Sequence, residues 1–165
     1  IIFDIEEINT HGGSIRVYVC QEKNVIVKKT VNNYLKLEED FGLKKLSTYL
    51  NFGKKIEELK QNVSKNLYKL KKKYSTIIGY GAPAKATTAL NYFNIKNEIK
   101  YVIEDNPLKH GKFIPGVNIP IFPKKNINET NSLMLVLAWN FFEEIKNKNI
   151  KTTKDIISIK DLEKN

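Results

Sequence analysis

The stretch GYGAPAKATTALNYF, Gly79 to Phe93, puts two glycines, a proline and a lysine between an apolar run and a helical pattern. Gly79, Gly81 and Ala84 satisfy G-x-G-x-x-G/A in the context that pattern requires, after a predicted strand and opening a predicted helix. Gly79 would allow the tight turn, Gly81 would let a pyrophosphate approach the backbone, and Ala84 is small enough for close helix packing. Pro83 suits a first helical position, where its missing N–H would have no helical partner anyway. The free N–H groups of a first helical turn and the helix dipole favour an anion there, and Lys85 adds a full charge beside them. With Tyr80 and Ala82, the segment Gly79–Lys85 is the candidate phosphate or nucleotide site. A turn that only lets a strand bend tightly into a helix fits the same residues.

Other residues sharpen the choice. Glu104 lies 25 residues after Gly79, near where a dinucleotide fold sets a carboxylate on the ribose hydroxyls, so a nicotinamide-type oxidoreductase domain is an open alternative. An S-adenosylmethionine site is not expected here, because Thr76, Ile77 and Ile78 stand where an acidic residue would precede the glycines. In HGGSIR, His11, Ser14 and Arg16 with Gly12 and Gly13 could present donors to an anion, or the segment is a glycine hairpin turn. DNPLKHGKFIPG brings Asp105, Lys109, His110 and Lys112 into a loop after a strand end, the side of an open sheet where ligands bind. Trp139 and Asn140 sit at another strand end, where core packing and a helix cap are the structural alternative. Cys20 is the single cysteine and the two histidines stand apart; no zinc spacing exists, and no metal is expected.

These residues must be carried by elements the pattern predicts. IIFDIEEI and SIRVYVC read as strands around NTHGG, with Ile15, Val17 and Val19 alternating against Arg16 and Tyr18. Val31 to Phe41 has helical spacing and Gly42 stands where helices stop. From Lys44 to about Lys73, apolar residues recur at Leu46, Tyr49, Phe52, Ile56, Leu59, Val63, Leu67 and Leu70, which predicts a long amphipathic helix. STIIGYG, IKYVIEDN, SLMLVLAWN and DIISI then alternate with helices at Pro83–Tyr92 and FFEEIKNKN. The proline-rich stretch Pro107–Pro123 reads as a shaped loop with at most a short strand at NIPIF. The expected fold is therefore α/β, a mostly parallel sheet with helices on both faces, preceded by a β-hairpin and the long helix. A single domain is expected: strands and turn over 1–29, helices over 30–73, and the glycine-turn α/β unit over 74–165.

A formal charge of +10 invites a nucleic-acid reading. Arg16 is the one arginine, however, and the lysines are dispersed among asparagines and isoleucines. Base readout and bidentate phosphate clamps favour arginine, so nucleic-acid binding through the long helix ranks last. No run approaches the roughly 18 to 20 apolar residues of a membrane span and no signal peptide is visible; a soluble, cytoplasmic protein with no membrane partner is expected. The strand-like start at Ile1 reads as a fragment from which an upstream piece has been removed.

HGGSIR, GYGAPAKATTALNY, EDNPLKHGKFIPGVNIPI and LVLAWNFFEEI occur in the order and approximate spacing of the C-terminal domain of sugar C-methyltransferases. Over about Thr10 to Ile145 the chain resembles that family. The resemblance implies an N-terminal zinc-binding region, a middle S-adenosylmethionine-binding domain and a Rossmann-like C-terminal domain, to which this chain would correspond. Family members methylate a carbon of a nucleotide-linked deoxy-keto sugar: a base removes the proton beside the keto group and the enolate attacks the methyl of the sulfonium cofactor. Base and cofactor would belong to the upstream domain, so this chain is expected to hold no catalytic residue and no cofactor, and to be inactive alone. Its implied partners are a nucleotide-linked sugar and the upstream methyltransferase domain. The implied substrate-binding set is Gly79 to Lys85 near the diphosphate, His11, Ser14 and Arg16 at the domain junction, with Lys109 and Asn140. Two departures stand out: Ala86 where a glycine is expected, and a tail without the proline-bearing end.

Overall fold

The alternation at the start of the chain makes a two-stranded antiparallel sheet, β1 (Ile2–Ile8) with β2 (Ser14–Val19), in the computed structural model, which describes residues 1–124 and 131–164. Ile5 faces Val17 and Glu6 faces Arg16 across the ladder. Helix α1 (Lys29–Phe41) packs against β1. It stops where expected: Gly42 has φ 79°, and its N–H donates to the carbonyls of Glu38 and Glu39. That left-handed C-terminal cap favours glycine because a Cβ is strained there. Helix α2 runs unbroken from Leu46 to Lys73. Its apolar stripe is unevenly used, since Val63 and Leu67 are buried while Leu46, Tyr49 and Phe52 stand exposed. The described residues group into two compact units, Ile1–Ile56 and Glu57–Asn165, with the division inside α2.

In the second unit a parallel sheet forms from the apolar runs. Its strands are β3 (Thr76–Tyr80), β4 (Val102–Ile103), β5 (Ile121–Phe122), β6 (Ser132–Val136) and β7 (Asp155–Ser158), in the order β5-β4-β3-β6-β7. Every neighbouring pair is parallel. The chain therefore steps outward from β3 through β4 to β5, then returns to the other side of β3. That is the order of the first five strands of a Rossmann sheet, and it puts the topological switch between the C-terminal ends of β3 and β6. β4 is shorter than the apolar pattern predicted, yet its pairing runs on, with Lys100 N–H donating to Ile77 O and Glu104 N–H to Phe122 O.

Helices cover both faces. Ile77, Val102, Leu133 and Leu135 point to the side filled by Val63 and Leu67 of α2 and by Ala86 and Leu90 of α3 (Ala84–Tyr92). Ile78, Tyr80, Ile103, Met134 and Val136 point to the side closed by Ile145 and Phe142 of α4 (Phe142–Asn149). Burial on both faces explains why β3 and β6 read as continuous apolar runs and not as alternation. The proline-rich loop is shaped as predicted: Ile114, Val117 and Ile119 turn inward, and Asn91 of α3 donates to Pro115 O. Among the described residues no helix is long and apolar enough to cross a membrane.

Leu135 is wholly buried in the central sheet. Leu135→Ala is expected to destabilise the chain by about 2–5 kcal/mol in urea unfolding, the usual range for emptying a packed leucine site. Leu108→Ala, at a side chain 76% exposed, should leave the midpoint unchanged.

Candidate functional site

The glycines of the turn answer first to packing. A Cβ on Gly79 would sit 2.8 Å from Val102 Cγ2 and 3.1 Å from Leu137 Cδ1. Gly81 has φ +86°, and a Cβ there would lie 2.6 Å from the Cβ of Ala138, in the loop after β6. The two loops at the switch point approach so closely that only glycine fits at 81. Gly81 N–H donates to Ile103 O at 2.7 Å, which fastens the turn to β4. Tyr80, between the glycines, is buried, and its hydroxyl donates to Asp105 Oδ1 at 2.8 Å. Burial, reinforced by Asp105, pushes this phenol up to about 12. Tyr80 thus faces the core and ties β3 to the end of β4.

Glu104 does not stand free at the end of β4. Its Oε2 accepts the Ala82 N–H at 2.8 Å and the Lys109 ammonium at 3.2 Å, and its Oε1 accepts the Asn106 N–H at 3.0 Å. Lys109 also donates to Ala82 O at 3.0 Å, so one lysine grips both ends of the contact. Burial works against ionisation of this carboxylate, but the N–H groups of Asn106 and Ala82 and the Lys109 charge outweigh it, leaving the pKa below the ordinary value. His110 Nε2 donates to Glu104 O at 2.6 Å, since the carbonyl can only accept. Of the loop residues singled out in the sequence, Lys109 and His110 thus act inside the turn's own framework.

Beyond Ala82 the turn opens outward. Pro83 is the N-cap of α3, one position earlier than its composition predicted, and its carbonyl accepts the N–H groups of Ala86 and Thr87. Among the described residues the N–H groups of Ala84 and Lys85 have no partner. These are orphan donors at the positive end of a helix. Lys85 is exposed, with Nζ 5.7 Å from the centre of the Trp139 ring, and Lys160 Nζ lies 5.9 Å from the same ring. Two ammonium groups therefore flank one indole beside two free N–H donors. Asn140, next to Trp139 in a short 3₁₀ helix, is exposed and caps neither that helix nor α4. Lys160 gave no sign in the sequence, because it lies in a lysine-rich tail with no motif around it.

His11, Ser14 and Arg16 belong to the first unit. His11, Gly12 and Gly13 take φ values of 55°, 92° and 115°, and Thr10 O accepts the Gly13 N–H and the Ser14 hydroxyl. Arg16 pairs with Glu6 at 3.0 Å across the ladder, and Tyr18 donates to the same carboxylate. The structure thus gathers Gly79–Lys85 and Lys109 in one unit and HGGSIR in a hairpin turn of the other. Clefts also occur along α2, lined in part by Lys71, Phe93 and Glu98, and at the start of β3, lined by Thr76 and Lys100. The latter is at the N-terminal end of the strands, whereas ligands of open α/β sheets bind beyond their C-terminal ends.

Glu104→Gln tests the internal latch. Replacing a charged acceptor of three donors should cost about 1.5–3 kcal/mol at neutral pH. A carboxylate whose pKa is lowered on folding contributes stability that is present above its unfolded value and lost as pH falls through the folded one. The gap between parent and variant in urea unfolding should therefore be full at pH 7 and close below the ordinary carboxylate range.

A family model described as the C-methyltransferase C-terminal domain matches residues 9–157, from the hairpin turn into β7. C-methyltransferase NovU of Streptomyces niveus is 29% identical over 147 residues, covering 87% of this chain and 35% of that protein. The chain thus spans about a third of the length of the curated relative it matches. With the glycine turn, the Glu104 latch and nearly the whole parallel sheet inside the matched range, this chain belongs to the C-methyltransferase C-terminal domain family.

Proposed function

We propose that this chain is the substrate-holding part of a C-methyltransferase, and that the opening of α3 receives the phosphates of a nucleotide-linked keto-deoxysugar. The observation that carries the reading is the pair of unpartnered N–H groups at Ala84 and Lys85, backed by the Lys85 and Lys160 charges beside Trp139. Backbone donors at a helix start, a dipole and two ammonium groups suit a diphosphate. Trp139, a half-buried indole, would be the ring on which a base or sugar stacks. Gly79, Gly81 and Pro83 would keep this geometry, Tyr80 and Lys109 would brace it, and Asn140 would add an exposed amide at its rim.

Methyl transfer itself is assigned to a portion outside this chain, where S-adenosylmethionine would supply the methyl group. The residues of this turn do not fit that cofactor. The two hydroxyls of its ribose need two acceptor positions on a carboxylate, and Glu104 already gives three of its about four to donors of its own chain. The same commitment weighs against the nicotinamide alternative, which was motivated by Glu104. His11, Ser14 and Arg16 would serve at the junction with the catalytic portion, and a cytoplasmic setting goes with a nucleotide-sugar substrate.

Calorimetric titration with uridine and thymidine diphosphate sugars tests the proposal. Lys85→Ala should weaken binding by about one to two powers of ten, given about 1.5–3 kcal/mol for a charge-assisted bond. Lys160→Ala should weaken it less, and Lys71→Ala, on the cleft along α2, should change nothing. Equal losses for Lys85→Ala and Lys71→Ala, or none for Lys85→Ala, would sink the reading. Saturable binding of a nicotinamide cofactor by the parent chain would favour the alternative. Loss of that binding on Glu104→Ala would not identify a ribose contact, because the carboxylate also holds the turn together.

A further inference from the structure

The two edges of the N-terminal sheet are treated differently. The outer edge of β1 is closed by its own chain, with Lys28 N–H donating to Phe3 O at 2.9 Å and Ile5 N–H to Thr30 Oγ1 at 3.4 Å. Along β2, among the described residues, the backbone of Ser14–Val19 makes no hydrogen bond except to β1. The same strand presents Ile15, Val17 and Val19 on one face, 50%, 40% and 66% exposed. A free edge is ordinarily blunted by charge, proline, a bulge or a covering segment. Here the aliphatic side chains alternate with Arg16 and Tyr18, both held by Glu6 of β1, and a two-stranded sheet is marginal by itself.

The family model's matched range starts at residue 9, so β1 lies outside that range and β2 within it. The matched relative keeps about two thirds of its length outside the matched stretch. The hairpin thus straddles the start of the matched range, with the β1 edge closed and the β2 edge open.

We propose that the free edge of β2 pairs with an edge strand of the catalytic methyltransferase portion, adding β1 and β2 to that portion's sheet, with Ile15, Val17 and Val19 entering its core. Main-chain hydrogen bonds would set the register and the alternate side chains the fit, as in other strand-addition contacts. The proposal rests on the reading that catalysis lies outside this chain. It does not depend on the ligand at the glycine turn, whose affinity is measured on this chain alone.

Hydrogen exchange resolved to single amides tests it, first on this chain alone and then mixed with the residues of the Streptomyces niveus relative outside its matched stretch, expressed as a separate polypeptide. Alone, alternate amides of Ser14–Val19 should exchange rapidly; in the mixture they should slow by about ten-fold or more. The double substitution Ile15→Lys and Val19→Lys, at exposed positions, should keep the circular dichroism spectrum and weaken association by about ten-fold or more, 1.4 kcal/mol per power of ten. No association at the highest soluble concentration, or a complex in which the β2 amides still exchange rapidly, would overturn the proposal. Protection in this chain alone that rises with its own concentration would assign the edge to a second copy and overturn it equally.

Discussion

The Glu104 carboxylate is the joint on which the switch-point region depends. It is mostly shielded from water, with its side chain 13% exposed, and an ionised oxygen pair in that position is tolerated only when its lone pairs are filled. Ala82 fills one from the end of β3, Asn106 another from the loop after β4, and Lys109 supplies the opposite charge. Because the donors come from the turn after β3 and from the loop after β4, satisfying one carboxylate fixes two pieces of backbone together. His110 on the Glu104 carbonyl and Tyr80 on Asp105 extend the same bracing to both sides of β4. The conformation that exposes Ala84 and Lys85 is therefore held before any ligand arrives, and little ordering would remain to be done on binding.

The turn divides its donors between two tasks. The N–H groups of Gly81 and Ala82 face inward, on Ile103 and Glu104, and those of Ala84 and Lys85 face outward. An external anion would meet the helix dipole and Lys85 without competing for the inward pair. The internal carboxylate also limits the site's net charge: Lys109 is neutralised where it sits, which leaves Lys85 and Lys160 as the ammonium groups around Trp139. Arranged in this way, the glycine-rich turn is a packing device whose outward donors are left free.

Much of this was legible in the sequence, and the reasons differ by residue. Ile77–Ile78 and Leu133–Val136 announced buried parallel strands because both of their faces are covered. Gly42 and Pro83 marked helix limits through backbone conformation alone. The α2 stripe was read correctly as helical, but periodicity reports which face is apolar and not which turns of it are covered, so the exposure of Leu46 and Phe52 was invisible. It also runs unbroken through Ile56 and hides the division between the two units. Glu104 stands at the right spacing for a ribose carboxylate, yet two of its three donors are backbone N–H groups, and a backbone donor has no letter in the sequence. Lys160 reaches Trp139 across 21 residues with no local signature.

The contact between Gly81 and Ala138 makes the glycine turn non-portable. Three or four residues that look like a self-contained motif owe their backbone path to a methyl group in another loop, at a distance that leaves no room for even one more carbon. Grafting GYGAPAK onto another parallel sheet would transplant the letters without the wall they lean on, and the recipient would have to receive residues 137–139 as well. In protein engineering the smallest transferable piece of this site is thus a pair of loops.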